Sequence, residues 1–202
     1  YEIMPSLVGS EMCIRDRDDI TESKNAIIDT IDRLGRWVSS LVSYLHPLEP
    51  NLKQVSAPEL LDAALNVLNA KIKEKNIQII KKGWEELTLL SVDPDLMEQA
   101  LYSLLANSVE ASPKSTNLEI SVLNLKETIE IHIVDNGPGL PFEPKPGNLE
   151  PGPSTKRFGT GLGIPIAFKI CQKHNWTLKF DVMKEKGTKV IIIAPLKEKK
   201  EH

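Results

Sequence analysis

The sequence predicts an α+β fold, a two-layer α/β sandwich preceded by one long amphipathic helix. Three observations predict it. Apolar residues recur at helical spacing in several separate segments. Between them lie strand-like runs, paired around short turns as hairpins. The resulting order is helix, strands, helix, hairpin, loop, helix, hairpin; a doubly wound parallel sheet would need strand–helix–strand alternation. At 202 residues the chain suits one domain plus a helical arm. Hydrophobic residues make up 41% and charged residues 26%, an ordinary soluble balance. The net charge of -3 gives no electrostatic reason to expect nucleic acid or an anionic membrane as a partner. Apolar runs such as 190–194 are far too short to cross a bilayer, so no membrane contact is expected of this segment. Two cysteines, Cys13 and Cys171, form neither a disulfide framework nor a metal spacing, and Cys171 reads as a small core residue. A cytoplasmic setting fits, whether or not the parent protein is membrane-anchored.

Residues 7–16 read L-V-G-S-E-M-C-I-R-D, with neither a helical stripe nor strand alternation. The decapeptide resembles the translation of a transposon-end adapter used to prepare sequencing libraries. Residues 1–17 are therefore set aside as non-native, and the gene is expected to continue upstream. Residues 21–46 carry Ile27, Ile31, Leu34, Val38, Leu41 and Leu45 at 4-3-4-3-4 spacing, the heptad pattern of a helix that packs lengthwise on others. Gly35 weakens this helix locally, and Pro47 and Pro50 stop it. Such a stripe needs a partner subunit, further helices or the domain's own surface to cover it. Residues 18–50 are thus expected to form a helix and linker, and residues 51–202 the main domain.

Within the main domain, a polar and Pro-rich linker at 46–55 leads to a helix at 57–75 with Leu60, Leu61, Ala64, Leu65 and Leu68 on one face. Strands are expected at 77–80 and 87–92. Asp93-Pro94 is a helix start, an N-cap acid with proline in the first turn, and the helix runs to about Ala111. Residues 118–125 and 128–134 read as an antiparallel hairpin turning near Lys126-Glu127. From 137 to 158 the chain is rich in Gly and Pro without a regular pattern; such loops are usually functional lids or disordered. A helix at 164–174 and a closing hairpin, 177–182 with 189–194 around Gly187, complete the domain.

Three features could carry chemistry. Asn107 lies on the polar helical stripe Gln99, Ser103, Asn107 and Glu110; alone, such a stripe also reads as a solvated face. Asp135 follows the strand bearing Ile129, Ile131 and Ile133 and precedes Asn136-Gly137-Pro138-Gly139. An ionised carboxylate only accepts hydrogen bonds, so in a pocket it suits an exocyclic amine such as that of adenine; alone, D-N-G is also a turn signal. Gly159-Thr160-Gly161-Leu162-Gly163 runs into the helix at Pro165. Glycines there let backbone amides approach phosphate oxygens at a helix N-terminus, where the dipole favours an anion. A dinucleotide fingerprint would need G-x-G-x-x-G directly after a strand; here the spacing is G-x-G-x-G and a loop precedes it.

In this order, the three features resemble the N, G1 and G2 boxes of the GHKL (Bergerat-type) nucleotide-binding fold. That fold is shared by histidine kinases, gyrase-type topoisomerases, Hsp90-type chaperones and mismatch-repair ATPases. The resemblance covers roughly residues 57–196 and implies ATP and Mg²⁺ as cofactors. It implies that the Asn107 amide oxygen holds Mg²⁺ and that Asp135 receives the adenine amine. Gly137 and Gly139 would shape that pocket. Gly159, Gly161 and Gly163 would frame the phosphates, with Thr160, Leu162 and Glu110 also at the nucleotide. Thr155-Lys156 resembles the T-K of nitrogen-regulator-type kinases, where the lysine is placed to meet phosphate. Gly187-Thr188 resembles the final G-T turn, with Thr188 near the adenine.

The hydrolysing branches place a glutamate four residues before the Mg²⁺ asparagine, as general base for water; here that residue is Ser103, with no adjacent base. Histidine kinases usually carry a second asparagine there. The segment I-D-R-L-G-R-W-V-S-S-L-V-S-Y-L-H-P-L-E-P resembles the second dimerisation helix of histidine kinases and its proline linker. It implies a homodimer through that helix and a response-regulator receiver domain as partner. None of His46, His132, His174 and His202 reads as the phosphoacceptor, which is expected on a preceding helix. The expected function is the part of a sensor histidine kinase that positions Mg·ATP for transfer of its γ-phosphate to that histidine and on to a regulator, largely by positioning and charge neutralisation. Three alternatives stay open. A degenerate scaffold is favoured by Ser103 and by Asn175-Trp176, where many relatives have Gly-Gly. A serine kinase of the anti-sigma-factor type would lack the heptad arm. A chaperone- or topoisomerase-like ATPase would hydrolyse ATP steadily without a partner.

Overall fold

The structure is a computed structural model that describes residues 49–85, 88–140, 142, 144, 161–182 and 187–196, and isolated positions between 24 and 38. The chain divides into two compact units, residues 1–42 and 43–202. In the first, Lys24, Ile27, Thr30, Ile31, Leu34, Gly35 and Val38 are helical, in keeping with the heptad. The stripe residues Ile27, Ile31, Leu34 and Val38 are exposed there. Residues 1–17, and Leu41 and Leu45 of the stripe, lie outside the described residues.

The second unit opens on a strand where the sequence predicts linker. β1 (Lys53–Ser56) pairs antiparallel with β3 (Leu89–Val92), Lys53 opposite Val92 and Ser56 opposite Leu89. Four mostly polar residues carry too little alternation to signal a strand; the apolar partner strand makes them one. Ser56 then caps α1 (Ala57–Glu74), its hydroxyl accepting from the Glu59 amide at 3.3 Å, with Pro58 in the first turn. α1 buries Leu60, Leu61, Ala64, Leu65, Leu68 and Ile72. β2 (Gln78–Lys82) follows, then β3 and α2 (Pro94–Ala111). β4 (Asn117–Asn124) and β5 (Thr128–Val134) form the expected hairpin. α3 (Gly163–Lys173), β6 (Thr177–Val182) and β7 (Thr188–Pro195) close the chain, the two strands antiparallel.

The main sheet has the order β2-β4-β5-β7-β6. One pairing corrects the all-hairpin expectation: β2 runs parallel to β4, Gln78 opposite Asn117. The intervening β3 and α2 provide the long crossover that parallel strands require. β7 lies between β5 and β6, so the second strand of the last hairpin flanks the central strand. The three helices pack side by side, α1 on α2 and α2 on α3, with α2 against β5 and α3 against β6, the two-layer sandwich predicted. Along β5, Ile129, Ile131 and Ile133 are fully buried while the alternate residues are half-buried. Cys171 is buried in α3, and burial pushes its thiol up to about 12, as befits an inert core residue. No described helix is long and apolar enough to cross a membrane.

Ile131→Ala should lower the unfolding free energy by about 2–5 kcal/mol, because it empties the middle of the central strand. Val67→Ala on the exposed face of α1 should change it by roughly 0.5 kcal/mol or less. Urea titration of both variants checks the placement, and equal effects would contradict it.

Candidate nucleotide-binding site

The site is built around a buried carboxylate. Asp135 stands just past the end of β5, where its own N–H still donates to the Thr188 carbonyl at 3.0 Å. Its Oδ1 accepts from the N–H of Gly137 at 2.9 Å and of Thr188 at 3.1 Å. The Ser108 hydroxyl of α2 also donates to this carboxylate. Asp135 is only 3% exposed. Burial pushes its carboxyl above the usual carboxylate range, against the pull of the Gly137 and Thr188 amides and the Ser108 hydroxyl.

Two glycines make this contact possible. A Cβ on Gly137 would sit 2.8 Å from the Ala111 Cβ and 3.0 Å from the Asp135 Oδ1. Gly187 has φ +106°, and a Cβ there would collide with the Asp135 carbonyl oxygen. Both positions press backbone against the aspartate, which a side chain would prevent.

Asp135 lines an open cleft between α2 and the sheet. Leu104, Asn107, Ser108 and Ala111 of α2 line one wall, and Phe180 and Val190 of the sheet line another. Leu140, Ile164, Gly139 and Thr188 complete the lining. An apolar cleft with one directed acceptor suits a flat aromatic ring bearing an amine. Beside Asn107, α3 begins: a Cβ on Gly163 would be 3.7 Å from the Asn107 Nδ2 and 3.6 Å from the Ser103 Cβ. Leu162, at the N-cap of α3, makes no side-chain cap hydrogen bond among the described residues. A helix start beside an amide side chain is suited to an anion.

The structure thus brings Asn107, Asp135, Gly139 and Thr188 to one cleft, with Gly137 behind the aspartate and Gly163 facing Asn107. Gly161 and Leu162 lead directly into α3. Glu110 is not among the residues that line the cleft; its carboxylate pairs with Lys71 of α1 at 2.5 Å. Thr155, Lys156, Gly159 and Thr160 lie outside the described residues. Sequence reasoning missed Ser108, Ala111, Leu140, Ile164, Phe180 and Val190. Only Ser108 carried a signal, as the polar interruption of the apolar face formed by Leu101, Leu104 and Leu105.

Residues 92–198 match the family described as histidine kinase-, DNA gyrase B- and HSP90-like ATPase, and the chain belongs to that family. It carries the ATP-binding catalytic portion found in histidine kinases. It is 29% identical over 173 residues to sporulation kinase C of Bacillus subtilis, matching 85% of this chain and 40% of that protein. It is 31% identical over 156 residues to sporulation kinase B of the same organism, matching 72% of this chain and 36% of that one. With the sensor histidine kinase ZraS of Escherichia coli strain K12 it shares 25% identity over 165 residues, 82% of this chain and 36% of ZraS. The chain therefore spans 40% or less of the length of these curated relatives. Among solved structures, the catalytic domain of histidine kinase ThkA matches with a TM-score of 0.63 and 25% identity, over 72% of this chain and 95% of that domain.

Asp135→Asn should weaken ATP binding roughly 10- to 100-fold, the loss of a hydrogen bond to a charged acceptor. The fold should hold or gain stability. A raised carboxyl means that the buried anion opposes folding at neutral pH, and that opposition fades as pH falls through the raised value. ATP affinity runs the other way: it should fall on acidification at a higher pH than an exposed aspartate would dictate, since the anion accepts the amine more strongly than the protonated carboxyl. Calorimetric ATP titrations from neutral to acid pH, with thermal melts of both proteins, test this. A variant that loses stability and affinity together would contradict it.

Proposed function

We propose that this chain positions Mg·ATP for transfer of its γ-phosphate to a histidine and then to a response-regulator receiver domain, as the catalytic part of a sensor histidine kinase. The observation that carries the reading is Asp135, a buried acceptor held by two backbone amides in an apolar cleft that Ile164, at the start of α3, also lines. Among the described residues no group of three His, Cys, Asp or Glu side chains could hold a metal ion. The Asn107 amide oxygen would hold Mg²⁺ together with the nucleotide's own phosphates. When bound, it would neutralise phosphate charge. Thr155, Lys156, Gly159, Thr160, Gly161, Leu162 and Gly163 would hold those phosphates, and Gly139 and Thr188 would border the base.

Ser103 supports phosphotransfer over hydrolysis. Its hydroxyl donates to the Gln99 carbonyl of its own helix at 2.9 Å, and a serine is itself no general base for water. His132 pairs with Glu130 at 2.8 Å and His174 is buried with both ring nitrogens engaged, so neither suits a phosphoacceptor. We assign residues 18–50 to a dimerisation helix and linker, and 51–202 to the ATP-binding domain of a cytoplasmic kinase region. The exposed Ile27, Ile31, Leu34 and Val38 favour a homodimer through that helix. One structural neighbour, ThkA, was solved in complex with the response regulator protein TrrA, which favours the same partner class here.

The 202-residue chain should bind ATP with Mg²⁺-dependent affinity that Asn107→Ala abolishes. It should release no phosphate steadily and take up no acid-labile label from γ-labelled ATP. Absence of binding at millimolar ATP would point to a scaffold, and steady phosphate release to an ATPase.

A further inference from the structure

α2 and α3 meet at both of their ends. At the nucleotide end, Gly163 faces Asn107 and Ser103. At the far end, the Asp93 N–H donates to the His174 Nε2 at 3.0 Å. An accepting Nε2 carries no proton, so the ring proton is on Nδ1, which donates to the Ile170 carbonyl at 2.8 Å. Both residues are 7% exposed. The Asp93 carboxylate is fully engaged: Oδ1 accepts from the Leu96 N–H at 3.0 Å, capping α2, and Oδ2 accepts from the Asn51 N–H at 2.8 Å. Burial pushes this carboxyl up, but hydrogen bonds from the Leu96, Asn51 and Asp95 amides pull it below its usual value, so it stays an ionised acceptor. Asn51 directly follows Pro50 and precedes β1, so it belongs to the segment through which the chain enters the main domain.

We propose that Asp93 and His174 are positioning residues forming a latch that couples the segment at Asn51 to the nucleotide cleft. The proposal rests on the ATP-binding reading above. Neither residue touches the cleft. Asp93 stands roughly 21 Å along α2 from Asn107, and His174 roughly 16 Å along α3 from Gly163, at about 1.5 Å per residue. A helix pair held at both ends transmits a shift at one end to the other, because packed helices move as bodies. Movement of the Asn51 segment pulls on Asp93, and through Asp93 on the start of α2 and the end of α3. The gap between Asn107 and Gly163 then changes, and that gap borders the proposed phosphate position. Coupling of this kind is reciprocal, so bound nucleotide must in turn steady the Asn51 segment.

Amide hydrogen exchange on the full chain tests the latch, with and without Mg²⁺ and the ATP analogue adenylyl imidodiphosphate. In the wild type, the analogue should slow exchange across residues 49–56 by roughly 5-fold or more, the low end of ordinary coupling. Asp93→Asn keeps an oxygen to cap α2, and asparagine caps about as well as aspartate, but its amide group cannot also accept from the second N–H. That variant should keep its melting temperature within a few degrees, still bind the analogue and lose the slowing. His174→Gln keeps an acceptor for the Asp93 N–H and should keep the slowing, whereas His174→Phe should lose it. If the wild type binds the analogue and residues 49–56 do not respond, the latch is overturned and the ATP-binding reading stands. If the analogue does not bind at all, that reading fails and the latch with it. The wild-type measurement decides even if a variant does not fold.

Discussion

The structure depends on one constraint: a carboxylate has been placed almost out of reach of water, in the wall of the cleft. Residues 129, 131 and 133 of β5 point into the core, and Asp135 continues the same two-residue phase. The pleat that buries three isoleucines therefore carries the aspartate under the helices. An anion there needs donors, and they come from different parts of the chain: the Gly137 amide just downstream, the Thr188 amide of β7, and the Ser108 hydroxyl of α2. The acceptor is thus correctly held only when the β5–β7 register and the seat of α2 on the sheet are both in place.

This explains the sheet order. β5 and β7 are antiparallel neighbours, with Val134 opposite Lys189, so the end of β5 meets the start of β7. Were β6 the neighbour of β5 instead, the Gly187-Thr188 turn would lie a strand away from Asp135. Both glycines that press on the aspartate are intolerant of a Cβ for the same reason: the amides can reach the carboxylate only if backbone lies flush against it.

Much of this was legible in the sequence, because the signals were local. Asp93-Pro94 marks the start of α2 at the residue where the structure places it, and the isoleucines of β5 give its phase. β1 and the parallel pairing of β2 with β4 were not legible, because each is set by a partner distant in sequence. Glu110 stands apart from the cleft lining for a geometric reason. At 100° per residue, Leu104, Asn107, Ser108 and Ala111 fall within about 100° of one another on α2, while Glu110 falls about 60° beyond Asn107 on the far side. A stripe drawn through Ser103, Asn107 and Glu110 follows the polar residues, but the cleft follows the seam where polar and apolar faces meet. Ser108 was overlooked because a serine on an apolar face looks the same whether it meets a backbone carbonyl or a buried anion.

α2 is fixed at both ends by charge of the sign its dipole favours. Asp93 caps its start, and at its end the Lys75 ammonium, arriving from the end of α1, donates to the carbonyls of Val109, Glu110 and Ser112 at 2.7–2.9 Å. The last turn of α2 has no basic residue of its own, so the neighbouring helix provides it. A helix held this way shifts as a body. Asn107 and Ser108 are adjacent and roughly 100° apart around it, one toward the start of α3 and the other toward Asp135. Any displacement of α2 moves both together, so the Asn107 side and the Asp135 side of the cleft cannot be adjusted separately. Two neighbouring residues on one rigid helix thereby set the spacing between those two sides.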